Sequence, residues 1–414
     1  MNFIKQFYNP STVPFDQKSN FGHFLFDIGW FGVLSGSTAN FINIYATRIG
    51  ASEFQIGILS AIAAVVSLFF TIPATRWLEQ REIKGAVFWS SIVYRFGFFF
   101  FVPLPWLLSQ PNQIWALILL SFVMGIPLTT LSIGFSSLFA EAVPTSLRAY
   151  FAGTRNVVMA ISFMLSSLLC GYLLTQISFP LNYQIVFSIG FIGAMMSSYH
   201  LYKIKVQPKE NAEPAEVNHS SQARFDLKTY FRADILKTPF LITLLLLMAF
   251  HIPQYLAIPL FPIYFVRYLN LTDNQLGIGT ALFYLSMLVG STRLHTWVRS
   301  FGNKNMVGIG VVSMAIYPIL LSYSTNVWHY YGISLLGGMA WAIVGGTSLN
   351  YILDRCPEND RPAHLAWYNL ILNASVLIGS LSGPAISHLT SISTALIIFG
   401  VLRGLAGLAI LKWG

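Results

Sequence analysis

Charged residues are scarce in this chain. Only 9% of its 414 residues are Asp, Glu, Lys or Arg and 55% are hydrophobic, whereas a soluble globular domain carries about 25% charged residues. A chain with so few charged residues could not form a polar surface large enough to face water. Lipid must therefore be the solvent for most of the chain, which excludes a soluble enzyme and a soluble binding module.

Cysteines and catalytic motifs are also scarce. The two cysteines, Cys170 and Cys356, stand alone, so they predict neither a disulfide framework nor a metal site. No glycine-rich loop ending in Lys-Ser or Lys-Thr is present to hold nucleotide phosphates. We therefore expect no enzymatic activity, no cofactor, no bound metal and no ATP-driven transport within this chain. The polar N-terminus shows no signal-peptide pattern, so we expect the first apolar run to be retained.

Long apolar runs fill most of the chain. A membrane-spanning helix needs about 20 apolar residues, and about twelve such runs are present. In lipid only helices and closed barrels satisfy their backbone, and these runs are too long for barrel strands. The sequence thus predicts an all-α membrane protein with about twelve transmembrane helices. The runs cover residues 22–46, 53–75, 85–108, 113–140, 147–176, 180–202, 238–267, 275–297, 304–324, 326–352, 362–388 and 391–412.

One long polar segment, residues 203–237, divides the runs into six before it and six after it. We therefore expect an N-terminal six-helix bundle at 1–202, a linker at 203–237 and a C-terminal six-helix bundle at 238–414. Within the linker, residues 207–223 are predicted to be disordered because they contain few apolar residues. From Phe225 onward the pattern fits either an amphipathic helix on the membrane surface or a short solvated lead-in to run seven.

The basic residues of the connections lie mainly on one side of the predicted membrane. When the connections are assigned alternately to the two sides, all ten lysines fall on one side, and the other side has only Arg48 and Arg267. Positive residues concentrate in cytoplasmic loops, so the linker and both termini are predicted to be cytoplasmic, in the cell's inner or plasma membrane. The net charge of +9 then reflects topology and contact with anionic lipids, not nucleic acid.

The starts of runs two and eight share a pattern. Residues 52–58 read Ser-Glu-Phe-Gln-Ile-Gly-Ile, and residues 272–278, 220 positions later, read Thr-Asp-Asn-Gln-Leu-Gly-Ile. A hydroxyl followed three residues later by Gln predicts a capping box, in which each side chain bonds the other residue's amide. The glycine that follows predicts a close approach of two helices.

A second pair of segments joins run four to run five and run ten to run eleven. Residues 141–148 and residues 354–361, 213 positions later, both read acid-x-x-Pro-x-x-x-Arg. The proline prevents the first helix from continuing, and the arginine opens the next. Asn156 and Asn369 also correspond at this offset. Two six-helix halves built from parallel repeats are typical of one large class of transporter.

At these residues the chain resembles the major facilitator superfamily, over nearly its whole length. The turn at 141–148 is similar to that of sugar porters in this superfamily. The resemblance implies a secondary transporter that rocks two six-helix bundles, related by pseudo-twofold symmetry, about a central site. It also implies a cytoplasmic gate formed by Glu141, Arg148, Asp354 and Arg361.

Two of the sequence's departures from the superfamily's pattern concern the loop after run two and the antiporter signature. The loop after run two keeps only a loose charge cluster in place of the motif Gly-x-x-x-Asp-Arg-x-Gly-Arg-Arg. The antiporter signature Gly-x-x-x-Gly-Pro is absent from run five, and a similar string occurs at 379–384 in run eleven. Run eleven is the repeat equivalent of run five, so this string supports the duplication more than it supports antiport.

In that architecture runs one, four, seven and ten line the transport pathway. Their polar and aromatic residues, with one from run eleven, are the candidates for a substrate cavity. Each candidate has an alternative as a packing residue or as a helix–helix hydrogen-bonding residue. Three prolines also predict kinks in run seven. The cavity candidates are Asn40, Asn43, Thr130, His251, Gln254, Tyr255, Trp341 and Asn373.

Charge deep inside the apolar runs is scarce. Asp27, Arg95, Arg155 and Arg403 each require a partner or must snorkel to the interface. Arg155 and Arg403 are near the inner half, where snorkelling is an alternative. With no acid at mid-membrane, Asp27 and His251 are the candidates for proton coupling, the latter because histidine titrates near neutrality. The gate pair Glu141 and Asp354 is the alternative.

The sequence thus predicts a monomeric secondary transporter, in contact with membrane lipids, for a small organic solute that is neutral or weakly polar. Protons are a candidate coupling ion. Three alternatives stay open: a sugar-type facilitator or symporter, an exporter of amphiphilic compounds or drugs, and a non-transporting receptor or lipid-handling scaffold. The gate turns favour sugar. Gln254, standing without the second glutamine of a sugar-binding pair, disfavours it.

Overall fold

The computed structural model of the protein describes residues 17–206 and 232–414. These residues form helices joined by short turns, and no β-strand occurs among them. The stretch 207–223, predicted to be disordered, lies outside the described residues, and so does most of the segment from Phe225 to Lys237. The prediction of an all-α membrane protein is confirmed.

The described residues form twelve consecutive helical segments, numbered here in chain order. The first six are α1 (Lys18–Leu34, Ser35–Ala39 and Asn40–Arg48), α2 (Glu53–Glu79), α3 (Ile83–Phe96, Gly97–Phe101 and Leu104–Leu107), α4 (Gln110–Ala142), α5 (Thr145–Gln176) and α6 (Leu181–Lys203). The second six are α7 (Phe240–Ala257, Leu260–Ile263 and Tyr264–Tyr268), α8 and α9 (together Asp273–Ser322), α10 (Val327–Leu353), α11 (Arg361–Leu389) and α12 (Ile392–Trp413).

Nine helices within the described ranges are long and apolar enough to cross a membrane. That number is below twelve for local reasons. A π turn at Ser35–Ala39 and a 3₁₀ turn at Gly97–Phe101 divide α1 and α3 into shorter pieces. Helices α8 and α9 count as one because only Gly302 separates them, with a φ of 76° that glycine adopts without strain.

The first and last described residues and the described ends of the linker lie at one face of the molecule. There Asn20 of α1 donates to the carbonyl of Lys205 at 2.7 Å, and Asn303, just after the bend between α8 and α9, donates to Asp354 at 2.7 Å. We call this the linker face, and the opposite side, which carries the turn between α1 and α2, the far face.

The described end of the linker is fixed to the second half. Arg232 forms ion pairs with Asp234 at 3.0 Å and with Asp360 at 2.9 Å, and Trp367 of α11 donates to the carbonyl of Arg232 at 3.2 Å. The hydrogen bonds from Arg232 lower the pKa of the Asp234 carboxyl. Ile235 is buried beside them, so the chain enters α7 from a fixed position.

Both predicted capping boxes are present. The hydroxyl of Ser52 accepts from the Gln55 amide at 3.2 Å, and the Gln55 side chain accepts from the Ser52 amide at 2.9 Å. Thr272 and Gln275 form the same pair of bonds at 3.3 and 2.9 Å. Each box satisfies two amides that the first turn of a helix leaves without partners.

The glycine after each box lies where two helices touch. A Cβ on Gly57 of α2 would overlap the carbonyl oxygen of Ser380 in α11, and a Cβ on Gly277 of α8 would overlap that of Ser167 in α5. Ser167 and Ser380 are themselves 213 positions apart, the offset of the acid-Pro-Arg turns. The two contacts between the halves are therefore equivalent under the repeat.

These contacts predict that Gly57→Ala and Gly277→Ala each lower the midpoint of thermal unfolding, because a methyl group forces two backbones apart at a cost of about 1–3 kcal/mol. Gly153→Ala is the control, since a Cβ at Gly153 of α5 meets nothing within 4 Å. Thermal unfolding of the purified variants in detergent measures the effect. Equal midpoints for all three variants would show that the halves do not approach closely at these glycines.

Candidate transport pathway

Two arginines join the halves at the far face. Arg48, at the end of α1, forms an ion pair with Asp273 at 2.9 Å and donates to the carbonyl of Leu271 at 2.7 Å. Arg267, at the end of α7, donates to the carbonyl of Ala51 at 2.5 Å. We call these five residues the arginine clamp.

The clamp is reciprocal. Ala51 and Leu271 are the residues immediately before the two capping boxes, and the arginines are 219 positions apart. Each half therefore donates an arginine to the carbonyl that precedes the other half's capped helix. The acids differ, because Asp273 pairs with Arg48 whereas Glu53, at the equivalent position, accepts from Ser387 of α11.

Other contacts between the halves also lie toward the far face. Tyr183 donates to Asp273 at 3.1 Å, and the Asn274 amide donates to Thr175 at 3.2 Å. Deeper in the interface, Phe163 of α5 stacks on Tyr284 of α8 with ring centroids 4.1 Å apart. Among the described residues, seven hydrogen bonds cross between the halves, and all lie on the far-face side of the interface.

The four predicted gate residues lie on the linker face, where each described partner belongs to the same half. Arg148 donates to the carbonyls of Ala140 and Val143 at 2.6 and 3.1 Å, which satisfies carbonyls left open at the end of α4. Asp354 accepts from Asn303, and Arg361 lies 3.5 Å from Glu358. Glu141 lines a polar groove with Arg81 and Lys84. In this conformation the gate turns are not paired across the halves.

Of the candidates in the first half, Asn40 has the most informative contacts. It donates to the Ser167 hydroxyl at 3.2 Å, and that hydroxyl is 3.4 Å from the carbonyl of Gly277 across the interface. The chain of bonds joins α1 to α8 through α5. The side-chain oxygen of Asn43 is buried without a partner among the described residues. Thr130 instead bonds its own helix and lies in a groove between α2, α3 and α4.

The second half contains a cavity of about 230 Å³ among α7, α8, α9, α10 and α12. Gln254 and Trp341, two predicted cavity residues, both line it. His251 lies one turn before Gln254 and meets the Tyr368 hydroxyl at 3.4 Å. Tyr255 lies against Gly379 of α11. The structure thus brings Gln254 of α7 and Trp341 of α10 together around one space, whereas His251 and Tyr255 contact α11.

None of the seven other residues that line this cavity was a predicted site residue, and three of the seven bear on its chemistry. Phe283 and Tyr317 give it aromatic walls, and Arg403 of α12 gives it a positive charge. Aromatic residues occur in every run, so nothing in the pattern distinguished these two. Asn373, which was a candidate, donates to the carbonyl of Asn369 in its own helix.

The buried charges of the first half form one cluster. Asp27 lies 3.2 Å from Arg155 and 3.7 Å from Arg95, and Ser197 donates to it at 2.5 Å. The guanidinium of Arg155 also lies 4.4 Å from the ring centre of Phe135. The predicted need for partners is met for these residues, and Arg155 is partly buried and paired with Asp27 rather than snorkelling to the interface.

Comparison with known proteins supports the fold seen here. A sequence model described as Major Facilitator Superfamily matches residues 20–255 and 243–414. Multidrug resistance protein 2 of Bacillus subtilis (strain 168) is 25% identical over 151 residues, which are 36% of this chain and 38% of that protein. The match thus spans little more than a third of the relative's length.

Two solved structures share the fold at low sequence identity. The match to the D-xylose-proton symporter has a TM-score of 0.70 at 16% sequence identity and covers 95% of this chain and 96% of the symporter chain. The match to the nucleoside transporter NupG has a TM-score of 0.64 at 12% sequence identity and covers 96% of this chain and 98% of the NupG chain. At such identities the likeness concerns the fold alone.

The clamp predicts that Arg48→Ala opens the far face, because it removes an ion pair and a bond to a backbone carbonyl at once. The labelling is done in a chain that carries Asn43→Cys and whose two native cysteines are replaced by serine. With Arg48→Ala added, we expect an impermeant maleimide applied from the far side to label Asn43→Cys about fivefold faster than without it, which corresponds to about 1 kcal/mol. Arg81→Ala is the control, because the Arg81 guanidinium stacks on Trp77 within one half. An unchanged labelling rate in Arg48→Ala would contradict a clamping role.

Proposed function

The chain belongs to the Major Facilitator Superfamily, and we propose that it is a secondary transporter that moves a small organic solute by alternating access between its two halves. The reciprocal arginine clamp carries this proposal. The clamp closes the far face with two hydrogen bonds that are equivalent under the sequence repeat. The described partners of the gate residues on the linker face all lie within the same half. A conformation closed on one side only is what alternating access requires.

We assign the linker face to the cytoplasm, because the lysines of the connections lie there. The structure then represents the state that is closed to the outside. The opposite state forms when the clamp breaks and the gate turns approach one another, which brings Glu141 and Arg148 of one half near Asp354 and Arg361 of the other. Residues 1–202 and 238–414 move as the two rocking bundles in this proposal, joined by the linker 203–237.

The solute passes between α1 and α7 and between α4 and α10. On one side the Asn40 side chain donates to Ser167 of α5, whose hydroxyl lies near the Gly277 carbonyl of α8. A solute that binds the Asn40 side-chain amide would therefore also disturb the contact between α5 and α8. On the other side the cavity presents Gln254 and Trp341. Its walls are mainly apolar, and a polyhydroxylated sugar would leave several hydroxyls without partners at a cost of about 1–3 kcal/mol each. An amphiphilic solute fits better.

For proton coupling we favour His251 over Asp27. Asp27 already accepts from Arg155 and Ser197 and lies beside Arg95, so a proton would have to displace these partners. The Nδ1 atom of His251 is buried with no hydrogen-bond partner among the described residues. His251 is therefore the better placed of the two to take up a proton, one turn from the cavity residue Gln254.

Alternating access predicts that Asn40→Cys and Trp341→Cys are labelled by an impermeant maleimide from both sides of the membrane, because each half of the cycle exposes the pathway to one side. Labelling in inside-out and right-side-out vesicles of a chain lacking its native cysteines measures this. Leu336→Cys is the control, since it lies about 140° around α10 from Trp341 and is exposed on the outer surface of the helix. Labelling of Asn40→Cys and Trp341→Cys from a single side would indicate a static scaffold.

A further inference from the structure

Arg403 is a buried cation without an acid. Its exposed fraction is 3%, and among the described residues no carboxylate lies within 4 Å of it, whereas Arg95 and Arg155 of the first half share Asp27. An unpaired charge in lipid costs several kcal/mol or more. A position of this kind in a membrane helix indicates a functional role.

Backbone carbonyls hold the Arg403 side chain in place without neutralising it. Nη1 donates to the carbonyl of Met314 at 3.1 Å, which has no helical partner because the residue four positions later is Pro318. Nη2 donates to the carbonyl of Pro253 at 3.4 Å. The Nε atom is buried with no partner, so the guanidinium is oriented and retains a free donor.

Arg403 adjoins the cavity of the second half. Arg403 lines that space together with Gln254 and Trp341, and the side-chain oxygen of Gln254 is also buried without a partner. Tyr317 and Phe283 close it with aromatic rings. The volume of about 230 Å³ is below the roughly 300–1,000 Å³ of sites for drug-sized ligands, so it suits one ring with a small substituent.

We propose that Arg403 is an anion subsite of the transport pathway and that its ligand is the carboxylate of a small aromatic acid. The carboxylate accepts from the Arg403 guanidinium and supplies the missing negative charge. The ring lies against Trp341 and Tyr317, and the Gln254 oxygen accepts from a donor group on the solute. The inference rests on the proposed transport function only in treating this cavity as part of the pathway, and it replaces the neutral solute expected from the sequence with an acid.

Three probes of similar shape test the charge preference of the unmodified protein. Benzoate, benzamide and benzylamine are titrated into the purified full-length chain by calorimetry. We expect benzoate to bind about 30-fold more tightly than benzamide, the lower end of what losing one partner of a buried charge pair costs, and benzylamine to bind most weakly. Equal binding of benzoate and benzamide, tighter binding of benzylamine, or no binding of benzoate would overturn the proposal.

Two variants then identify the residue responsible. Arg403→Met keeps the length of the side chain without its charge and should abolish the preference for benzoate, while Arg403→Lys should retain part of it. The thermal midpoint of Arg403→Met should change little, because removal of a buried unpaired charge offsets the loss of a donor to the carbonyls of Met314 and Pro253. Retention of the benzoate preference by Arg403→Met would contradict the assignment, and so would a lowered midpoint with unchanged benzoate affinity, which indicates a purely structural arginine.

The outcome is separable from that of the transport proposal. Labelling of Asn40→Cys from both sides, with no preference for benzoate, would remove the anion subsite and leave the transporter. A benzoate preference lost in Arg403→Met, with one-sided labelling, would leave a binding site in a protein that does not alternate.

Discussion

The contact between two arginines and two backbone carbonyls holds the two halves together at the far face of this structure. Arg48 and Arg267 each reach the carbonyl before the other half's capped helix. The capping boxes begin immediately after those carbonyls. The glycines that follow the boxes let α2 pack closely on α11 and α8 pack closely on α5, which keeps each carbonyl within reach of the other half's arginine. Each half thus contains the same combination of a capped helix start, a glycine contact and an arginine that reaches the other half. Because the two arginine contacts are equivalent, both can break together when the halves rock.

Charge inside the membrane is handled differently in the two halves. In the first half Asp27 lies between two arginines, and the cluster ties α1, α3, α5 and α6 into one body. In the second half Arg403 has only carbonyls, and its positive charge adjoins a cavity. The first half thus pairs its charges internally, whereas Arg403 of the second half has no carboxylate partner among the described residues, and the proposed anion subsite lies in that half.

The sequence predicted the features that depend on neighbours along the chain. Capping boxes, helix count and the glycine contacts are local patterns, and all are confirmed. It did not predict what depends on packing between distant helices. Arg48 and Arg267 were interpreted only as exceptions to the charge asymmetry, because nothing near them in sequence indicates a partner 216 to 225 positions away. The gathering of Gln254, Trp341 and Arg403 around one cavity likewise requires the fold of three separate helices, and the gate and cavity assignments stay predictions.

The central claim is that closure of the far face and closure of the linker face exclude each other. Distances between paired spin labels measure this most directly, with one pair at Ser178→Cys and Thr325→Cys on the far face and another at Glu82→Cys and Asn359→Cys on the linker face. The account predicts two distances for each pair, and Arg48→Ala should lengthen the first while shortening the second. A single fixed distance in both pairs, or both distances lengthening together, would contradict it.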